Sequence, residues 1–240
     1  MRSLLFSSAL SVAIVIIFGL TLVEAQDRGG DITSEQLRDM ARTTSVPDHR
    51  TVDTRGTPFF NEEFTNGSIT FENGQTTNVM PLRYNAYENN LQFMSGSNIY
   101  AVENNTVRSF ELYATDSVIR FEKGYDARRL SPEDFVAVMA DGEAKFMVKH
   151  TVNYLEDISG YGQATQVEEY SPSREYYVKF GDGDVDRIRS LNERRVMRTF
   201  PSHEDELEQF ASQNNIQFDN IMDVSRLFKH YNTLQNEPGQ

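Results

Sequence analysis

Apolar and polar residues alternate along the middle of the chain. Ile69 and Phe71 fall on one face of an extended segment, and Ser68 and Thr70 fall on the other. Successive side chains of a strand point to opposite faces, so this period of two predicts half-buried β-strands. The segments with strand-like composition are 64–72, 79–87, 91–94, 99–102, 107–112, 117–121, 135–139, 143–150, 175–180 and 184–189.

Turn residues separate these segments at short intervals. Asn73-Gly74 lies between two of them, and both residues tolerate the positive φ angles of a tight hairpin. Asn89 and Asn104 follow at similar spacings, which suit consecutive antiparallel strands better than strand–helix–strand units. Asp141-Gly142 and residues 181–183 indicate two further hairpins. The sequence therefore predicts an antiparallel meander.

One polar stretch interrupts this pattern. Residues 156–174 contain Gly160-Tyr161-Gly162 and Ser171-Pro172-Ser173, which are typical of turns and disfavour strands. We therefore expect a long loop there.

Beyond residue 190 the pattern becomes helical. Asn192 can cap a short helix, Ser202 with Asp205 matches a capping box that opens a second, and Asp219 or Asn220 can cap a third. The apolar residues of the third helix recur at the 3.6-residue period and give it one apolar face: Ile221, Val224, Leu227, Phe228 and Tyr231.

These patterns predict a mainly β fold with an α-helical C-terminus (β+α). The antiparallel β domain covers residues 56–190, and three short helices within 191–234 pack on it. Seven to nine strands of this length are expected to curl into a sandwich or an open half-barrel, because a flat sheet leaves its edges and one face uncovered. Residues 26–55 form a flexible polar leader, with one or two helical turns after Ser34, and 235–240 form a disordered tail.

The N-terminus has the pattern of a signal peptide. Arg2 precedes an uncharged, largely apolar stretch, and Val23-Glu24-Ala25 places small residues where signal peptidase cleaves. We expect residues 1–25 to be removed. The alternative is an uncleaved anchor, because about 20 uncharged residues can span a bilayer. Either outcome predicts an exported protein, periplasmic or associated with the outer envelope. Only if this segment is uncleaved does the protein contact the membrane, and then only through it.

The chain is acidic and lacks cysteine. Its 23 Lys and Arg residues stand against 36 Asp and Glu residues, which gives a net charge of −13. A charge of this sign repels phosphate backbones, so general nucleic-acid binding is excluded. The absence of cysteine excludes disulfides, thiolate metal sites and cysteine nucleophiles.

Five segments carry a family resemblance through their order and spacing: Gly56–Phe64, Gly67–Thr70, Pro81–Asn85, Phe135–Gly142 and Leu227–Asn232. Through them the chain resembles a family of uncharacterised secreted β-rich proteins common in Bacteroidota. The resemblance implies export, a bacterial host and a β-rich body with a helical tail. It implies no activity and no site residue.

Arginines are concentrated near the end of the β region. The cluster consists of Arg187, Arg189, Arg194, Arg195 and Arg198. In an acidic chain, such a cluster can bind a phosphate, an anionic lipid headgroup or an acidic partner. The alternative is local pairing with acidic residues of the next helix, which needs no partner: Glu204, Asp205, Glu206 and Glu208.

Tyrosines are frequent in the β region, and Tyr84 and Tyr87 are candidates for lining a groove that binds sugars or apolar ligands. The alternative is ordinary strand tyrosine, with a buried ring and a hydrated hydroxyl group. His150 and His230 are expected to be partnered structural residues.

No catalytic or metal-binding motif is present. The chain has no nucleophile elbow, no histidine pair at metal spacing and no phosphate-binding glycine loop. Asp182, Asp184 and Asp186 begin a calcium-loop pattern, but Arg187 stands where that loop requires glycine, so a hairpin turn explains them better. We therefore expect no cofactor and no metal.

The working hypothesis is a non-catalytic cell-envelope protein that binds another protein or an envelope component. A first alternative is a carrier for an apolar ligand, such as a lipid or lipoprotein tail, held in the curved sheet. A glycan hydrolase is the less favoured alternative, because it requires two carboxylates that converge in one cleft.

Overall fold

A computed structural model of the chain describes residues 32–40, 44–45, 54–157 and 167–236. The predicted signal peptide and residues 237–240 of the predicted tail lie outside this part. The described strands are β1 (Thr44–Ser45), β2 (Thr54–Arg55), β3 (Thr65–Phe71), β4 (Met80–Asn85), β5 (Asn90–Ser95), β6 (Asn98–Val102), β7 (Val107–Tyr113), β8 (Val118–Glu122), β9 (Val136–Ala140), β10 (Ala144–Asp157), β11 (Val167–Phe180) and β12 (Val185–Ile188). The described helices are α1 (Ser34–Met40), α2 (Glu193–Met197), α3 (Glu204–Gln213) and α4 (Ile221–Asn236), with a 3₁₀ turn at Asn104–Thr106.

All twelve described strands belong to one sheet, in the order β1-β6-β5-β4-β3-β7-β8-β9-β10-β11-β12, with β2 paired to β11. Every pairing is antiparallel except that of β2 with β11. The predicted mainly antiparallel β fold with a helical C-terminus is confirmed. The strands exceed the seven to nine predicted, partly because β1 and β2 are two-residue strands within the supposed leader.

The first half of the sheet curls back on itself. Tyr84 on β4 is separated by two strand steps from Phe110 on β7 and by three from Phe121 on β8. A flat sheet would place these residues ~10 and ~14 Å apart. Their ring centroids are in fact 5.4 and 5.2 Å apart. Of the two predicted forms, a sandwich and an open half-barrel, the sheet therefore adopts the open half-barrel. Aromatic rings fill its concave side.

The half-barrel has its own hydrophobic core. Phe93, Phe110, Phe121 and Phe135 are almost fully buried in it. Burial of a phenylalanine side chain contributes about 1.5–3 kcal/mol, so this aromatic cluster is a main source of stability for the curled sheet.

Strands β10 and β11 form a long hairpin that joins the two halves of the molecule. Their register runs without a shift from Ala144 opposite Phe180 to Asp157 opposite Val167. The long loop predicted over 156–174 is therefore wrong at 156–157 and at 167–174, and its middle part, 158–166, lies outside the described residues. Pro172 is tolerated in β11 because β2 pairs at 168–169 and β12 at 176–179, so that no described strand lies beside the proline on that edge.

The two faces of this hairpin pack against different parts of the chain. Phe146 and Val178 point to the helices, and the Phe146 ring stacks on Phe228 of α4 at 4.9 Å. Met147 and Tyr177 point the other way and pack with Leu130. Leu130 belongs to residues 123–134 between β8 and β9, which we call the covering loop.

Two of the three predicted helix starts are confirmed. Asn192 caps α2 by accepting a hydrogen bond from the Arg195 amide, and the Asn220 side chain accepts from Met222 at the start of α4. The predicted capping box at Ser202 is wrong. The residue before α3 is His203, with a φ of 62° and no side-chain cap. The Ser202 hydroxyl instead lies 3.3 Å from the Tyr231 hydroxyl of α4.

Part of the supposed leader lies on the body of the protein. Ile32 and Leu37 are buried in the half-barrel core, which places α1 against the sheet. The leader expected over residues 26–55 is therefore not wholly separate from the β domain. In the part of the chain that the structure describes, no helix is long and apolar enough to cross a membrane.

Candidate functional site

The sheet divides the predicted arginine cluster into two groups. Arg187 lies opposite Tyr177 in register and so shares the face that the covering loop packs on. The next residue, Ile188, points to the other face, where Val196 of α2 is buried. Arg187 is therefore on one side of β12, while α2 with its arginines packs on the other.

Arg187 belongs to a buried charge cluster around Glu175, which is 9 % exposed. One carboxylate oxygen of Glu175, Oε1, accepts a hydrogen bond from Arg187 Nη2 at 3.1 Å and forms an ion pair with Arg129 Nε at 3.0 Å. The Tyr177 hydroxyl donates to the other oxygen, Oε2, at 3.1 Å. Burial and the neighbouring Glu175 carboxylate raise the pKa of Tyr177, so its hydroxyl stays protonated as a donor. We call Arg129, Glu175 and Arg187 the arginine clamp.

The covering loop brings Arg129 to this place. Ala127 and Leu130 exchange two backbone hydrogen bonds of 3.0 Å, which close a tight turn with Arg129 at a φ of 70°. Lys149 Nζ donates to the Arg129 carbonyl at 3.2 Å. Sequence reasoning missed Arg129, because no local pattern links a loop residue to a distant strand.

A second buried carboxylate, Glu122, lies on the same face. It accepts a hydrogen bond from Lys145 Nζ at 2.7 Å, pairs with Arg120 at 2.6 Å and contacts the Tyr125 hydroxyl. Burial opposes the charged form of Lys145, but hydrogen bonds to Glu122 and Tyr125 outweigh it and raise the pKa of Lys145. Glu122 is therefore neutralised by fixed cations.

The geometry of the two buried carboxylates does not favour a glycan hydrolase. Glu122 on β8 and Glu175 on β11 are separated by β9 and β10 in the sheet. A glycosidase requires two carboxyl groups that flank one bond, one as the acid and the other as the base or nucleophile. Each of these carboxylates also binds cationic side chains, so neither is placed as a free acid or base.

The other arginines of the predicted cluster are all exposed, and we call them the arginine ridge: Arg194, Arg195 and Arg198 lie in or at the end of α2, and Arg189 lies just after β12. None of them has an ion pair among the residues that the structure describes. The predicted alternative, pairing with Glu204, Asp205, Glu206 and Glu208, is not found there either; Glu206 lies 3.5 Å from His203 instead. The guanidinium group of Arg195 donates to the Ser190 hydroxyl.

The two candidate tyrosines have different environments. Tyr84 is 2 % exposed, and its hydroxyl donates to Asn89 Oδ1 at 2.8 Å, so it is a core residue that cannot line a groove. Tyr87 is 48 % exposed, and its ring centroid lies 6.1 Å from that of Tyr154 and 5.7 Å from that of Tyr170. It is the outermost member of a surface cluster of three tyrosines.

A surface pocket of about 380 Å³ lies beside α1. Ile32, Leu37 and Phe71 provide its apolar wall, and Glu72 and Asn73 lie at its polar side. The volume falls within the usual range for small-molecule sites. The apolar wall of the pocket belongs to the half-barrel core.

The segments that carry the family resemblance hold the fold together. The Phe60 amide donates to the Tyr84 carbonyl at 2.9 Å, and the Arg83 guanidinium lies 3.8 Å over the Phe59 ring. Asn232 of α4 accepts a hydrogen bond from the Ala144 amide at 2.7 Å, beside the Asp141-Gly142 turn. These residues therefore position structural elements.

The histidines also have structural environments. His150 packs its ring against Phe60 with centroids 4.6 Å apart, and His230 stacks on Phe210 at 4.0 Å. Within the described ranges, no group of three potential metal-ligating side chains comes together.

Comparison with known proteins found no matching family, no matching curated protein and no matching solved structure.

Proposed function

We propose that the protein is an exported, non-catalytic binding protein of the cell envelope, and that its arginine ridge binds an acidic segment of another protein. The observation that supports this proposal is a set of four exposed arginines without ion pairs among the described residues, in a chain of net charge −13. A guanidinium group binds a carboxylate through two parallel hydrogen bonds, which suits Asp and Glu side chains.

The overall charge favours a short acidic segment over an extended anionic surface. Charges act across about 8 Å at physiological ionic strength. A lipid surface would face the acidic body as well as the ridge and would be repelled by the body. A short segment contacts the ridge alone.

A labelled oligoglutamate peptide is the probe that tests this proposal, with binding followed by fluorescence anisotropy. Exposed ion pairs contribute about 0.2–1 kcal/mol each, so the double variant R194Q/R198Q should bind about two- to thirtyfold more weakly. The matched control R108Q/K229Q removes the same charge from exposed positions elsewhere. Affinity should fall as salt rises, because the contacts are exposed.

Equal weakening in the ridge variant and the control would show that only net charge matters, and would contradict the proposal. If the ridge variant alone binds weakly, in-cell crosslinking from position 194 then identifies the natural partner.

The pocket beside α1 supports a second candidate function, the carrier for an apolar ligand. Its apolar wall and its volume of about 380 Å³ suit a lipid tail. Native mass spectrometry of the purified protein tests this candidate. A retained lipid mass supports the carrier, and a clean protein mass contradicts it.

A further inference from the structure

We propose that the arginine clamp is a binding site for a phosphate group, in which Glu175 orients the guanidinium groups of Arg129 and Arg187. This site differs from the arginine ridge in its residues and in its face of the sheet. It therefore goes beyond the proposed function, and either proposal can fail without the other.

The clamp retains donors that an oxyanion can use. Arg129 uses only its Nε atom on Glu175, its side chain is 65 % exposed, and its terminal nitrogens have no acceptor among the described residues. Arg187 binds Glu175 through Nη2, while its buried Nε has no hydrogen-bond partner in the part of the chain described. A buried charged donor without an acceptor is costly, so a bound oxygen atom there is stabilising.

Arg129 is the third residue of the turn that Ala127 and Leu130 close, and its positive φ is the one that a type II turn requires there. Its φ of 70° is the left-handed conformation, which glycine and asparagine adopt at lower cost than arginine. Strain of this kind persists where the surroundings enforce it, often at ligand sites. Here Lys149 donates to the Arg129 carbonyl at 3.2 Å, which fixes this side of the turn.

The unused donors of the clamp suit a phosphate ester, because Arg129 Nη1 and Nη2 and Arg187 Nε can each bind one of its oxygens. Arg129 and Arg187 exceed Glu175 by one positive charge, while Arg128 and Asp126 of the covering loop offset each other. The neighbouring Lys149 and Asp134 form an ion pair of 2.6 Å and leave this balance unchanged. The excess charge has the sign that an anionic ester requires. The acidic body opposes a phospholipid surface, so we assign the site to a soluble phosphate ester.

The test is calorimetric titration of the full chain with inorganic phosphate at constant ionic strength. Wild type should show saturable binding of one phosphate. The variant R129G relieves the backbone strain and removes the guanidinium group, so it should bind about tenfold or more weakly without loss of thermal stability. R129K keeps the charge but not the forked donors and should also bind more weakly, while R108Q should bind as wild type does.

Three results would overturn the proposal. The first is wild type without saturable binding, and the second is R129G that binds as wild type does. In the third, R129G loses thermal stability and R129K binds phosphate normally, which would assign Arg129 a purely structural role. Arg129-dependent binding to vesicles that contain phosphatidic acid would overturn the assignment to a soluble ester. R194Q/R198Q should bind phosphate normally, which separates this test from that of the ridge.

Discussion

Acidification is expected to weaken the fold through one histidine, His150. Its ring lies in the half-barrel core, 4.6 Å from the Phe60 ring and 6.4 Å from the Phe121 ring. Burial, together with Arg174 directly opposite on β11, lowers the pKa of His150 from 6.5 to about 4. The native state therefore holds His150 neutral at a pH where the unfolded chain is already protonated.

The size and sign of the effect follow from this difference in pKa. A drop from 6.5 to about 4 corresponds to about 3 kcal/mol, because each pKa unit is about 1.4 kcal/mol. Between those pH values His150 is protonated in the unfolded state and neutral in the native state, so the free energy of unfolding rises with pH. This contribution is fully present above pH 6.5, falls as the pH drops toward 4, and is absent below.

Urea unfolding of wild type and H150F between pH 7 and pH 4 measures this contribution. Phenylalanine keeps an aromatic ring but does not titrate, so the stability of wild type relative to H150F should fall by about 3 kcal/mol across that range. The variant R174Q removes the opposing charge and should shrink this loss. NMR titration of the His150 ring gives its pKa directly. A pKa near 6.5, or parallel pH curves for wild type and H150F, would refute the reasoning.

Two further substitutions test residues of the resemblance segments. Gly142 has a φ of 148°, and an added Cβ would lie 2.6 Å from Asn232 Nδ2, so G142A should destabilise the protein by about 1–3 kcal/mol. G74A is the control, because Gly74 also has a positive φ, of 86°, but an added Cβ would have no atom within 4 Å and only the backbone cost remains. If G142A and G74A lose the same free energy in urea unfolding, the clash with Asn232 is ruled out. R83K loses the hydrogen bonds of the guanidinium group to Gln92 and its stacking on Phe59, and it should lower the free energy of unfolding by about 1–3 kcal/mol. The exposed control R108K should lower it by less than about 0.5 kcal/mol. Equal losses would contradict the packing role of Arg83.

Local patterns were enough to predict most of the sheet. The alternation around Ile69 and the Asn73-Gly74 turn correspond to β3 and its connection to β4, because side-chain period and turn chemistry are properties of neighbouring residues. Pro172 misled the prediction because its effect depends on a gap between β2 and β12 that only the tertiary structure contains. Ser202 failed as a cap for a similar reason, since its hydroxyl lies near Tyr231 of α4.

The candidate site was predictable only in part. The arginines after β12 stand out in an acidic sequence, and their exposure follows from their charge. Arg187 lies apart from the arginines of α2, because side chains alternate along a strand and Arg187 is on the opposite face from Ile188. Arg129 joins Arg187 through Glu175, and this contact spans three parts of the chain. Such a long-range arrangement has no counterpart in the spacing of residues.

The position of α4 at the end of the described chain has a consequence for biosynthesis. Ribosomes make Phe146 and Val178 well before Phe228, the residue that stacks on Phe146. Until α4 has been synthesised, the helix-facing side of the β10–β11 hairpin exposes apolar residues to chaperones and proteases. A premature stop before Ile221 would therefore yield a product that quality-control machinery destroys, even though the half-barrel would be complete.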